Sequence, residues 1–232
     1  MFKADIVEIP ESNHDVVANY IASKIVNHLS SGEQVVWFVS GGSNIGLAKE
    51  IRSSLDLGTF KGKLHICLVD ERFGTIGHSD SNWQQLLDVG FDTSYCQVYP
   101  IINNKNNATD TVKEYNDTIN NLLSQGYYCI GQLGLGPDGH TSGLLPNNPL
   151  MNSTDYYGYY LGPDYQRITS TPKLICMLDE IVLFASGQAK AQALRSMLSE
   201  GPIDKIPARL LKNSKSLKIF TDIKVKGNTI SA

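Results

Sequence analysis

Four apolar runs in this chain stop abruptly at small or charged residues, and that pattern restricts its fold more than any other feature. Val35-Val36-Trp37-Phe38-Val39 runs into Ser40-Gly41-Gly42-Ser43, and Leu64 to Val69 runs into Asp70-Glu71-Arg72. Tyr128-Cys129-Ile130 runs into a glycine-rich stretch, and Ile181 to Ala185 into Ser186-Gly187. A run apolar at successive positions predicts a strand buried on both faces, the condition of a central strand in a parallel sheet. Parallel neighbours need long crossovers, usually helical. The chain supplies them: Val17, Tyr20, Ile21, Ile25 and Leu29 recur at helical spacing ahead of the first run, and Val112, Tyr115, Ile119, Leu122 and Leu123 ahead of the third. The alternation predicts one doubly wound α/β domain over residues 1–232, with a mainly parallel sheet and helices on both faces.

The remaining elements follow from the same signals. Further strands are expected over 5–9, 97–99, 167–171 and 217–221. Helices are expected after a cap at Ser12 or Asn13, over about 44–54, from Ser81 or Asn82 through Leu87, over about 109–124, from Pro172, from Gln188 through Leu198, and at Pro207 to Leu211. Pro146 to Pro163, rich in Asn, Tyr, Gly and Pro, predicts a long excursion over the surface.

Composition narrows the function classes. Hydrophobic residues make up 41% and charged residues 19%, with a net charge of −3, which argues against a dominant nucleic-acid or membrane surface. No apolar run approaches the ~20 residues of a membrane helix. The start of the chain lacks the apolar core of a signal peptide. The four cysteines form no CxxC pair and no zinc spacing, so reduced thiols in a cytoplasmic protein are expected. Oligomeric state stays open between monomer and homodimer. The basic tail alternates lysines with apolar residues, the pattern of a solvated face.

The chemistry concentrates at the carboxyl ends of the apolar runs, where open α/β sheets place reactive groups. Gly134-Leu135-Gly136-Pro137-Asp138-Gly139-His140 brings an acid and an imidazole to a tight turn, without the GxGxxG spacing of a dinucleotide site. Ser40 to Ser43 joins a strand to a helix start and aims backbone N–H groups at an anion, yet no Gly-Lys-Ser/Thr of a P-loop follows. Asp70 and Arg72 suit substrate contact, and His78 falls on the loop beyond them. His65 reads as a structural histidine within its strand. Lys190 sits in the first turn of a helix, where the dipole disfavours a cation unless an anion is near.

These stretches, together with Asp80-Ser81-Asn82, Arg167-Ile168-Thr169 and Gly187, resemble the 6-phosphogluconolactonases, within the wider family that includes the glucosamine-6-phosphate deaminases. They follow in family order from about residue 35 to residue 221. The resemblance implies a Rossmann-like fold of the sugar-phosphate isomerase type and a small phosphosugar substrate. The implied reaction is hydrolysis of 6-phosphoglucono-δ-lactone to 6-phosphogluconate in the pentose phosphate pathway, with no cofactor. It assigns Gly41, Gly42, Ser43, Arg167 and Lys190 to phosphate, His140 to the catalytic base, and Asp70, Arg72 and Asp138 to the surroundings of the reacting carbon. Neutral imidazole accepts a proton from water near pH 7, so direct, metal-free water attack is the expected mechanism. Ser142 lacks the Gly-x-Ser-x-Gly elbow of a covalent mechanism. A deaminase-isomerase and a non-catalytic sugar-phosphate sensor are the alternatives. The deaminases typically carry Asp-Glu-Tyr in place of Asp70-Glu71-Arg72 and an acid soon after the histidine, which Thr141 to Pro149 lacks. Asn44-Ile45 stands where the family usually has Thr-Pro, and Ser142-Gly143 where it has Ala-Ser.

Overall fold

The computed structural model describes residues 5–10, 13–103, 107–226 and 229–230. The candidate cap Ser12 lies outside the described residues.

The main sheet contains β1 (Asp5–Glu8), β2 (Val35–Val39), β3 (Leu64–Leu68), β5 (Cys96–Tyr99), β6 (Tyr128–Gly134), β9 (Glu180–Ala185) and β10 (Leu217–Thr221). Its order is β1-β10-β9-β6-β2-β3-β5, and every pairing is parallel. All five residues of β2 and of β3 are buried, as the unbroken apolar character of β2 requires and as β3 achieves with one histidine whose ring nitrogens are both bonded. Helices α1 (His14–Ser30), α2 (Ile45–Ser53), α3 (Asn82–Asp88), α4 (Ala108–Ser124), α5 (Pro172–Met177) and α6 (Ala191–Leu198) make the crossovers. Trp37, Phe38, Phe220, Ile21, Ile25 and Leu47 are among the fully buried side chains of one continuous core.

The winding reverses once in the middle of the sheet. From β2 the chain proceeds outward through β3 to β5, then returns to β6 on the other side of β2 and proceeds through β9 to β10. Adjacent connections that leave in opposite directions open a crevice at the strand carboxyl ends, here between β2 and β6. The glycine-bearing loops after β2 and β6 therefore face each other.

A second sheet was absent from the expectation. The chain leaves the main sheet at Val69, and β4 (Asp70–Arg72) pairs antiparallel with β8 (Gln166–Ser170), which pairs antiparallel with β7 (Tyr157–Leu161). The stretch 146–163 is thus no surface excursion. Tyr157 is fully buried and its hydroxyl donates to the Leu68 carbonyl at 2.5 Å. Asn116 of α4 clamps the strand entry, accepting from the N–H groups of Tyr156 and Tyr157 and donating to the Tyr157 carbonyl. Smaller differences are local. A 3₁₀ turn precedes both α2 and α6, the helix at Pro207 is a 3₁₀ helix reaching Asn213, and Asn13 makes no side-chain cap bond. A short hairpin, β11 (Val225–Lys226) with β12 (Thr229–Ile230), follows β10. The four cysteines are free thiols, and His65 has both ring nitrogens bonded, to Tyr99 at 3.0 Å and Gln34 at 2.8 Å.

Candidate active site

A cleft of about 350 Å³ opens at the reversal point, and the loops after all four central strands contribute to its walls. After β2, the turn holds Gly42 at φ +59°, a left-handed conformation that favours glycine. Gly41 lies against Asn82, where a Cβ would come within 2.0 Å of Oδ1. The turn passes through Asn44 into α2.

After β3, strand periodicity sorts three consecutive charges. Asp70 and Arg72 line the cleft, while Glu71 points to the opposite side and is fully buried. Glu71 accepts from the backbone N–H groups of Arg72, Asn82 and Trp83 at 2.7, 2.7 and 3.0 Å and from the Ser81 hydroxyl at 2.9 Å. Ser81 in turn caps α3, accepting from the Gln84 N–H at 3.1 Å. Glu71 therefore anchors the start of α3 and carries Asn82 into the cleft, where it donates to the Asp70 carbonyl at 2.9 Å. Burial raises the Asp70 carboxyl above its usual range, with Arg72, Arg167 and His140 opposing.

After β6, the turn closes through Gly136 N–H to the His140 carbonyl at 2.9 Å and Gly139 N–H to the Gly136 carbonyl at 3.0 Å. Gly139 adopts φ +85°, and a Cβ on Gly136 would stand 2.1 Å from the His140 ring. His140 Nδ1 meets Asp138 Oδ1 at 2.6 Å, and the same oxygen accepts the His140 backbone N–H at 3.1 Å. A carboxylate only accepts, so Nδ1 carries the proton and Nε2 keeps its lone pair. His140 lines the cleft; Asp138 stands behind it. The Asp138 carboxylate thus meets the His140 ring from outside the lining of the cleft.

Across the cleft, Lys190 is the residue preceding α6, and its Nζ lies 3.4 Å from Ser43 Oγ. Burial pushes the Lys190 ammonium below its ordinary range, with Asp222 opposing. Register in the second sheet sets Arg167 directly opposite Arg72, an arrangement of like charges that is ordinarily unfavourable. The Tyr165 ring offsets it, lying 5.3 Å from both guanidinium groups. Asp164 grips Arg167.

The structure therefore brings Gly41, Gly42, Ser43, Asp70, Arg72, His140, Arg167 and Lys190 to one cleft. His78 does not join them. Its Nε2 bonds the Arg72 carbonyl at 2.9 Å and its ring packs on Gly74. Asp164 lines the cleft without having been singled out in the sequence, and Asn44 and Ser142, two of the positions that depart from the family pattern, line it as well. Ser142 occupies φ +52° with a buried hydroxyl lacking a partner. Asn44 Oδ1, Arg72 Nε, Asn82 Oδ1 and Arg167 Nε are likewise buried and unpartnered, the signature of polar groups arranged for a ligand rather than for each other.

The sequence model of the family described as glucosamine-6-phosphate isomerases/6-phosphogluconolactonase matches residues 10–220. The chain belongs to that family. Among curated members it is 29% identical over 208 residues to a probable 6-phosphogluconolactonase 3, chloroplastic, of Oryza sativa subsp. indica, covering 79% of this chain and 63% of that protein. It is 30% identical over 174 residues to a 6-phosphogluconolactonase of Borreliella burgdorferi, covering 69% and 72% of the two chains. The chain thus spans somewhat under two thirds of the rice relative's length. The fold matches a crystal structure of 6-phosphogluconolactonase from Thermotoga maritima with a TM-score of 0.81 at 18% identity, over 94% of this chain and 99% of that one. Among the described residues, no helix is long and apolar enough to cross a membrane.

Proposed function

We propose that this chain hydrolyses 6-phosphoglucono-δ-lactone to 6-phosphogluconate, a step of the pentose phosphate pathway, by general-base activation of water. One observation carries the reading: an Asp138-oriented His140 and a cationic cradle of Lys190, Arg167 and the Gly41-Gly42-Ser43 turn share one cleft. The cradle suits a phosphate, with Lys190 supplying charge and the turn supplying backbone donors. His140 Nε2 takes a proton from water as the water oxygen bonds to the lactone carbonyl carbon. Arg72 offers an N–H to the oxyanion. Collapse of the tetrahedral intermediate breaks the bond to the ring oxygen, which takes the proton back from the imidazolium. The carboxylic acid product then ionises. Asp138 stabilises the imidazolium formed between these steps.

Every group in this account comes from one chain, so a monomer suffices, and we take the whole chain as a single catalytic unit. Among the described residues, no group of three or more His, Cys, Asp or Glu is disposed to hold a metal ion. Free thiols fit a reducing compartment such as the cytoplasm. The absence of an acid from Thr141 to Pro149 favours the lactonase over a deaminase that opens a sugar ring.

The decisive assay follows fresh 6-phosphoglucono-δ-lactone, with and without a chelator. Turnover well above the spontaneous rate, unchanged by chelation, is expected. Ammonia release from glucosamine 6-phosphate without lactonase turnover would transfer the assignment to the deaminases. Ligand-induced stabilisation without any turnover would point to a sensor.

A further inference from the structure

We propose that Asp164 is a specificity-determining residue of the cleft, a carboxylate that holds Arg167 until a doubly charged anion replaces it. The inference rests on the phosphosugar reading above. Both Asp164 oxygens accept from one nitrogen, Arg167 Nη2, at 2.8 Å. This differs from the parallel fork in which a carboxylate spans two guanidinium nitrogens, the strongest geometry for the pair. It leaves Arg167 Nε buried without a partner. The two ends are also unequally held, since the Arg167 side chain is 10% exposed and the Asp164 side chain 52%. The cation is held in the wall of the cleft; the anion, whose Oδ1 also accepts from the Tyr165 backbone N–H at 2.9 Å, stands at the solvent side.

The surroundings keep the arginines in place without Asp164. Tyr165 lies against both guanidinium groups, and Arg72 donates to the Asp80 carbonyl at 2.8 Å. Asp164 itself rides on the turn between β7 and β8, closed by the Gly162 N–H to the Tyr165 carbonyl at 2.8 Å. Burial alone would raise its carboxyl, but the hydrogen bonds and charge of Arg167 hold it below the usual range, so it is anionic at neutral pH. A ligand reaching Arg167 therefore competes with a resident negative charge. A singly charged carboxylate competes on equal terms. A phosphate monoester dianion brings more charge and collects Lys190, Ser43 and the turn N–H groups as well. Asp164 thus lowers absolute affinity and widens the preference for a phosphate dianion over singly charged carboxylates, a repulsive element serving selectivity.

Calorimetric titration with inorganic phosphate and with acetate tests this on the parent protein and on Asp164→Asn, which keeps size and drops charge. The variant is expected to bind phosphate about three- to tenfold tighter at low salt, the scale of a partly exposed charge pair, with acetate gaining at least as much. High salt should shrink the gain. The gain should vanish when Arg167→Met is added. Unchanged or weaker phosphate binding in Asp164→Asn would overturn the proposal and make Asp164 an orienting partner of Arg167. A gain that survives Arg167→Met, or no phosphate binding by either protein, would overturn it too. Asp164→Ala gives a second reading should the Asn variant melt abnormally. None of these titrations needs turnover, so failure of the lactonase assay and failure of this inference are seen separately.

Discussion

The two ends of the parallel sheet are both rich in ionisable side chains, yet they are built on opposite principles. At the amino ends, Glu180, Asp179 and His65 are saturated with partners. Glu180 opens β9 and accepts from the hydroxyls of Tyr20 and Tyr128 and from Lys24. Beside it, Asp179 accepts from the Cys129 N–H and from Lys215, each at 2.8 Å, and His65 has both nitrogens bonded. At the carboxyl ends, Asn44, Arg72, Asn82, Ser142 and Arg167 each bury a polar atom with no partner, and two arginines face one another across a sheet. A buried polar group without a partner costs stability, roughly 1–3 kcal/mol. Such atoms occur elsewhere too, at Arg52 and Asn148 among others, but five of them gather in the walls of one cleft, where a ligand would satisfy them.

Substitutions at the two ends should separate catalysis from stability. The largest effect is expected from His140→Ala, which removes the proposed base: kcat for the lactone should fall by about 10²–10⁴-fold while the melting temperature stays near that of the parent. Undiminished turnover in a steady-state assay would remove His140 from the mechanism.

At the saturated end, Glu180→Gln should cost about 1–3 kcal/mol in urea unfolding and leave KM and kcat unchanged. Burial would raise the Glu180 carboxyl, but the bonds from Tyr20, Lys24 and Tyr128 win and hold it below its usual range. A carboxyl depressed in the folded state stabilises above its unfolded pKa, and the benefit disappears as pH falls through the folded value. The stability gap between parent and variant should therefore narrow below about pH 4.5. A gap that widened on acidification would break the assignment.

The smallest expected change is the most pointed. Lys190→Met should weaken phosphate binding by about tenfold or more and yet raise the melting temperature of the ligand-free protein near pH 7, because a partly buried ammonium is removed. Its pKa is lowered on folding, so its cost is full at neutral pH and disappears as pH rises toward the ordinary lysine range. The stability difference between parent and variant should close over that alkaline window. A variant less stable than the parent at pH 7 would mean that Lys190 serves the fold.

Much of this was legible in the residues themselves, because the relevant physics is local. Unbroken apolarity in Val35–Val39, and near-unbroken apolarity in Leu64–Leu68, dictates two-sided burial wherever those strands lie. Asp138 and His140, two residues apart on a glycine turn, meet without help from distant parts of the chain. Strand alternation could also have assigned Asp70 and Arg72 to one face and Glu71 to the other. What the tertiary structure alone decided depends on pairings between residues far apart in sequence. The strand order that opens the crevice, the register that sets Arg167 opposite Arg72, and the approach of Lys190 to Ser43 across 147 positions leave no trace in any single segment. The misread stretch 146–163 makes the same point. Its Tyr-Gly-Tyr-Tyr is ambiguous alone and becomes a buried strand only because β8 and Asn116 satisfy its backbone, a debt that no local sequence can settle.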